Sequence, residues 1–192
     1  MYARQIHSAD VRIAHAADAQ PPEREPRFAC DGFVTNEPGV PLAVFMADCL
    51  PVLLHDPAAG VIGAVHCGWR GSVADILGAA VAQMCALGAH PADIRAAIGP
   101  GIGACCFEVG PEVTAAAEAL LHAPLGALAR PCADGKALLD LKGVNARRLV
   151  QLGVPAGQIA VSDACTMCRP DVFWSHRATD GRRGVQAAVI TL

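Results

Sequence analysis

The sequence predicts a domain of alternating strands and helices, of α/β or α+β class. Three observations lead there. Short apolar runs at 42–46, 52–54 and 61–65 are rich in leucine and β-branched residues and are bounded by proline and glycine, which favours buried strands over helices. Segments of helical length and periodicity, at 72–87 and 138–152, alternate with such runs. No internal repeat or low-complexity tract interrupts the pattern, and 192 residues suit one ordinary domain.

In chain order, residues 2–13 read as a strand with His7 inside it, and 14–27 as a polar, proline-bearing loop. A short element at 28–35 precedes a turn at Asn36, Glu37, Pro38 and Gly39. The stretch 41–71 is the centre of the chain. It holds two apolar runs separated by a break at 56–60. Asp48 and Cys49 follow the first strand, and His66 and Cys67 follow the second. A Gly-Trp-Arg-Gly turn then opens a helix, an arrangement that sets functional groups at the carboxyl end of a sheet. In the helix at 72–87, Ser72 is the expected cap and Asp75 a capping-box acid. Val73, Ile76, Leu77, Ala80, Val81 and Met84 share one face, and Gly88 is the stop. A strand at 94–98 runs into a glycine-rich loop at 99–103. A second helix begins at Pro111, a favoured first helical position, and runs to about His122. An irregular connection covers 123–136, and a third helix covers 138–152 with a weak interruption at Gly143. A strand at 159–163, a turn at 165–169 and a terminal strand at 184–192 complete the chain.

Composition narrows the function classes. A formal net charge of −3 gives no basic footprint for nucleic acid. The apolar runs are too short to span a bilayer, and no charged segment followed by an apolar core opens the sequence. The expectation is a cytoplasmic protein without membrane or nucleic-acid partners. Nine cysteines in such a chain read as thiols or ligands, not as a disulfide framework.

Several residues are candidates for chemistry. His66 ends an apolar strand just before a glycine turn, where a buried, hydrogen-bonded histidine is the plain structural reading. Cys49 ends the preceding strand, and neighbouring strands lie only ~5 Å apart. With His7, the set supplies two imidazoles and one thiolate, a plausible zinc site with its fourth position open. Arg70 lies in a turn that opens a helix, where backbone N–H groups and a guanidinium favour phosphate; the alternative is a surface arginine. Asp48 is either a turn-capping strand end, a partner orienting a metal-bound histidine, or a general acid/base. Cys105 and Cys106 are read as structural, the alternative being a nucleophile served by His122. Cys165 and Cys168 form a single CxxC, which does not close a zinc site without a second pair. The cations and aromatics at 173–184, among them Arg177 and Arg183, read as a solvated loop or as a lid over an anion or ring.

Together these motifs resemble the YfiH family, also called the laccase-domain or multicopper polyphenol oxidase family. The matching segments are RQIHSADV (4–11), DGFVTNEPGVPLAVFMADCLPVLLHD (31–56), AVHCGWRG (64–71), IGPGIGACCFEVG (98–110), DLKGVNARRLVQLGV (140–154) and CTMCRPDVFWSHRATDGRRGVQAAVI (165–190). The resemblance implies a single α+β domain over 1–192, with central mixed sheets flanked by helices, and a metal triad at His7, Cys49 and His66. It implies phosphorolysis of adenosine, inosine and methylthioadenosine to the base and ribose 1-phosphate, with adenosine deamination beside it. Zinc is the expected metal, with copper as the alternative. Purine nucleoside and phosphate are the expected partners, with Asp48 and Arg70 in catalytic roles and Arg70, Arg177 and Arg183 binding phosphate. The family also carries an older label of copper-dependent laccase, and some bacterial members a role in peptidoglycan editing. A chemistry of several coppers needs many histidines, and only two of the seven here belong to the candidate site. Family members usually carry a further segment ahead of the 4–11 motif, so this sequence reads as an N-terminally short member. It also has His176 and Ala178 where tyrosine and arginine are usual.

Overall fold

The computed structural model describes residues 1–19 and 24–192. The strands are β1 (Val11–Ile13), β2 (Gly32–Thr35), β3 (Leu42–Met46), β4 (Leu50–Asp56), β5 (Val61–Cys67), β6 (Arg95–Ile98), β7 (Glu108–Val109), β8 (Ala129–Pro131), β9 (Ala137–Leu139), β10 (Ile159–Val161) and β11 (Gln186–Ile190). The α-helices are α1 (Trp69–Val73), α2 (Ile76–Ala86), α3 (Pro111–Leu121) and α4 (Leu141–Gln151). The central sheet has the order β1-β2-β5-β4-β6-β10. Its outer pairs, β1 with β2 and β6 with β10, are parallel, and the inner pairs are antiparallel. A second sheet pairs β3 with β11, and a third has the order β7-β9-β8. This is the mixed α+β arrangement expected from the resemblance.

The centre of the sheet is covered on both faces, and β5 shows why its sequence is apolar throughout. Every residue from Val61 to Cys67 is buried. Val61, Val65 and Cys67 join the larger core, which includes Ile76, Leu77, Ala80 and Met84 of α2. Ile62 and Ala64 join the smaller core, with Phe33 and with Leu42 and Val44 of β3. Successive side chains of a strand point to opposite faces, so one run feeds two cores. Gly63 sits under α2. A Cβ added there would lie 3.2 Å from Val34 and 3.6 Å from the Met84 sulfur.

Several sequence expectations change. The strand expected over 2–13 shrinks to β1, preceded by a loop that bridges Ala29 through Arg4 and is tied to Phe45 of β3 by the Gln5 side chain. The residues 20–23 of the expected 14–27 loop lie outside the described residues. The runs 42–46 and 52–54 belong to different sheets, and the chain turns between them through Asp48, in left-handed conformation at φ 85°. The helix expected over 72–87 is two helices. Asp75 adopts a left-handed conformation between them and caps α2 by accepting from the Gly78 N–H, so it is a cap and not the third residue of a capping box. The apolar face identified by periodicity is the buried one, with Ile76, Leu77, Ala80, Val81 and Met84 inside. The helix expected from 138 starts at Leu141, capped by Asp140, because residues 137–139 pair as β9. The irregular 123–136 stretch contains β8. No helix among the described residues is long and apolar enough to cross a membrane.

Candidate metal centre

The antiparallel pairing of β4 with β5 builds the site. Leu50 opposes Cys67 and Pro51 opposes His66, so Cys49, just ahead of β4, lies beside the end of β5. Cys49 and His66 are neighbours because one strand begins where the other ends, and not because both finish at the carboxyl edge of a parallel sheet. His7 arrives from the loop ahead of β1 in left-handed conformation, φ 60°. The ligand atoms of His7, Cys49 and His66 all lie within 4.8 Å of one another. The two imidazole rings stand edge to face with centroids 5.0 Å apart. His66 is buried, Cys49 partly buried and His7 exposed, so the group opens to solvent on the His7 side.

The neighbouring backbone leaves room for little else. A Cβ on Gly68 would come within 3.0 Å of the Cys49 sulfur and 3.1 Å of His7 Cδ2. A Cβ on Gly71 would lie 2.7 Å from the carbonyl oxygen of Ser8, on the same His7 loop. These two glycines let α1 approach the loop closely.

Asp31, in the turn before β2, was not singled out from the sequence, yet it organises the trio. Its side chain is fully buried. His66 Nδ1 donates to Asp31 Oδ1 at 2.9 Å. The same carboxylate accepts from the backbone N–H groups of Ile6, His7 and Ser8 at 3.2, 3.0 and 2.7 Å, and from the Ser8 hydroxyl at 2.8 Å. One carboxylate therefore fixes the His66 ring, leaving Nε2 as its ligand atom, and holds the strained loop that carries His7. Burial pushes the Asp31 carboxyl up, but the His66 bond and the Ser8 and Ile6 donors bring it down to about 2. Burial also works against charge on Cys49, but hydrogen bonds from His66 and His7 lower its thiol to about 7. Burial lowers His66, while Asp31 and Cys49 raise it to about 9. The signal that could have found Asp31 is an acid directly ahead of a wholly buried strand, Gly32–Thr35; such a carboxylate needs internal donors.

Two imidazoles and a thiolate of lowered pKa, with one histidine oriented by a carboxylate and one side open, fit a metal ion. The donor set and the cradle at Gly68 support that fit equally.

The other expected residues fall around the trio. Asp48 does not touch a histidine of the trio; that position belongs to Asp31. Instead Asp48 accepts from Thr166 Oγ1 at 2.6 Å, Ser175 Oγ at 3.1 Å and the Arg177 N–H at 2.7 Å. It thereby binds two C-terminal segments next to Cys49. Arg177 is exposed, and its guanidinium donates to the Glu108 carbonyl and lies 5.8 Å from the Phe107 ring centroid. Arg70 is exposed and stacks on the ring of Trp69 at 4.5 Å. Arg183 donates to the carbonyl of Gly184, and its Nε is buried without a partner among the described residues. No contact of Arg183 ties it to the trio. Cys105 and Cys106 meet Cys165 and Cys168, not His122, so the histidine-served nucleophile does not form. All nine cysteines are free, as the composition led one to expect. A cavity of about 250 Å³ bordered by Met1, Tyr2, Val40 and Pro41 contains none of these residues.

Comparison with known proteins gives consistent matches along the whole chain. A family model described as "Multi-copper polyphenol oxidoreductase laccase" matches residues 1–192. A purine nucleoside phosphorylase of Deinococcus radiodurans is 46% identical over 191 residues, covering 98% of this chain and 68% of that protein. Adenosine deaminase RL5, from an unknown prokaryotic organism, is 39% identical over 179 residues, covering 91% of this chain and 68% of that protein. The crystal structure of Bacillus licheniformis hypothetical protein YfiH superposes with a TM-score of 0.95 at 34% identity. That match covers 100% of this chain and 73% of the other.

Proposed function

The chain belongs to the family described as multi-copper polyphenol oxidoreductase laccase, and from that premise we propose that it is a zinc-dependent purine nucleoside enzyme. The reaction is phosphorolysis. Phosphate attacks the anomeric carbon of adenosine, inosine or methylthioadenosine, the N-glycosidic bond breaks, and the base leaves together with the sugar 1-phosphate. Deamination of adenosine, in which water replaces the amino group as ammonia leaves, is the second activity. The observation that carries the reading is the convergence of His7, Cys49 and His66 within 4.8 Å, open on one side. The relatives named as purine nucleoside phosphorylase and adenosine deaminase support the substrate class.

His7, Cys49 and His66 would hold the metal, which when bound supplies a Lewis acid with a free coordination position. Asp31 keeps His66 turned toward it. Asp48 orders the segments that carry Thr166, Ser175 and Arg177 and serves as the proton-handling carboxylate of the site. Arg70, stacked on Trp69, keeps its N–H edge available to phosphate, and Arg177 and Arg183 supply further positive charge. The test is release of base from adenosine and inosine with and without phosphate. The expected result is phosphate-dependent release accompanied by about one zinc at the trio, both lost in Cys49→Ala. Base release unaffected by Cys49→Ala would overturn the reading.

A second reading is a copper-dependent polyphenol oxidase. A His₂Cys donor set also suits copper, and this favours it. Oxygen uptake with a phenol, restored to metal-free protein by copper alone and absent in Cys49→Ala, would select it. Silence in both assays would leave a non-catalytic or peptidoglycan-editing role.

A further inference from the structure

Four thiols from two remote stretches meet at one point away from the trio. Cys105 and Cys106 lie in the turn between the glycine-rich loop and β7. Cys165 and Cys168 lie in the turn that follows β10. Their sulfur atoms are all within 4.8 Å of one another. Cys168 Sγ is 3.5 Å from Cys105 Sγ and 3.4 Å from Cys106 Sγ. None of the four is in a disulfide. Four thiolates each about 2.3 Å from a single zinc ion stand about 3.8 Å apart, along the edges of a tetrahedron. The spacings of 3.4 and 3.5 Å, with none above 4.8 Å, lie close to that value. Thiolates shared among the separate irons of a cluster are spread more widely.

Burial does not account for the gathering, because Cys105 and Cys168 are exposed and Cys106 is only partly buried. The surroundings place donors and positive charge at the Cys165 sulfur. The Gly103 N–H donates to Cys165 Sγ at 3.2 Å. The Lys142 ammonium is buried on α4 and donates to the carbonyls of Ser162 and Ala164 at 2.8 and 2.7 Å, immediately ahead of Cys165. A buried cation beside a four-thiolate site offsets part of its excess charge.

We propose that Cys105, Cys106, Cys165 and Cys168 bind one zinc ion as a closed, structural site distinct from the trio. Four sulfur ligands fill a tetrahedral ion, so this site offers no position for substrate. It clamps the 101–107 loop to the 165–168 turn. The clamp is continued by a bridge between Gly101 and Cys165 and by the Thr166 N–H donating to the Gly101 carbonyl. Thr166 in turn donates to Asp48, so the clamp positions the wall of the trio without touching its ligands.

The test is metal content of the full chain, purified without added metal, in a Cys49→Ala background, where the trio cannot contribute. The expected result is one zinc per chain in Cys49→Ala and its loss in Cys49→Ala/Cys168→Ser, with Cys49→Ala/Cys85→Ser as the control that keeps it. Cobalt exchanged into Cys49→Ala should show the intense thiolate-to-metal absorption of four sulfur ligands. That measurement stands even if Cys168→Ser folds poorly. A metal-free Cys49→Ala protein would overturn the proposal. So would a disulfide among the four found by mass spectrometry, or iron with inorganic sulfide in place of zinc. Because the trio is already disabled, failure here leaves the proposed activity untouched.

Discussion

The two sulfur-bearing groups of this molecule are built on opposite plans. The trio mixes two imidazoles with one thiolate, leaves a side open, and depends on strained backbone. His7 and Asp48 both have positive φ, and Gly68 has no room for a side chain. The quartet is all sulfur, and none of its cysteines has positive φ. Strain is concentrated at one group and absent from the other, as expected if the trio serves the proposed chemistry and the quartet the proposed clamp. The trio is held by a carboxylate that joins residues 6–8 to His66, whereas the quartet is itself the link between two stretches.

The contrast can be broken most forcefully at Cys49. Replacing it with alanine removes the only sulfur of the trio, and activity should fall by at least about 100-fold while the circular dichroism spectrum stays native. The next largest effect is expected from Asp31→Asn. The amide cannot serve all five donors as a carboxylate does, so zinc affinity at the trio should weaken by about 10- to 100-fold, read by chelator competition. Zinc at the quartet should not respond. Gly68→Ala comes third. Its methyl would press on Cys49 and His7, and overpacking of this kind costs about 1 to 3 kcal/mol, read as a lowered Tm together with weaker metal retention. Smallest in energy, but sharpest in assignment, is the thiol titration of metal-free protein. Because the Cys49 thiol is lowered to about 7, its thiolate forms as pH rises through 7. Site-resolved alkylation of Cys49 should therefore climb between about pH 6 and 8 and then level off. Cys67, whose thiol is pushed well up by burial, should stay unmodified across that range. In His66→Ala the Cys49 rise should move to higher pH.

Much of this was legible in the sequence because residue types and periodicity reflect burial directly. The buried face of α2 follows from Ile76, Leu77, Ala80, Val81 and Met84, whereas the trio was only raised by soft ligands near apolar runs and was carried by the family resemblance. What escaped depended on contacts between remote segments. Asp31 acquires its role only when β2 lies beside β5 and the His7 loop folds over both. Cys105 and Cys106 complete the CxxC of Cys165 and Cys168 across about 60 intervening residues, a pairing that no local spacing encodes. The break at Asp75 escaped for a related reason. Its carboxylate also receives Arg148 of α4 at 2.8 and 2.6 Å, a tertiary contact that accompanies the left-handed turn and overrides the helical pattern around it.

The carboxylate of Asp48 has a bearing on the order of events during synthesis. Its three donors are Thr166, Ser175 and Arg177, more than a hundred residues further along the chain. His7, Cys49 and His66 are all translated before any of these three donors. The contacts that fix Asp48 beside them wait for Thr166, Ser175 and Arg177. A ribosome-stalled chain ending shortly before Cys165 should thus carry all three residues of the trio and none of the donors that hold Asp48.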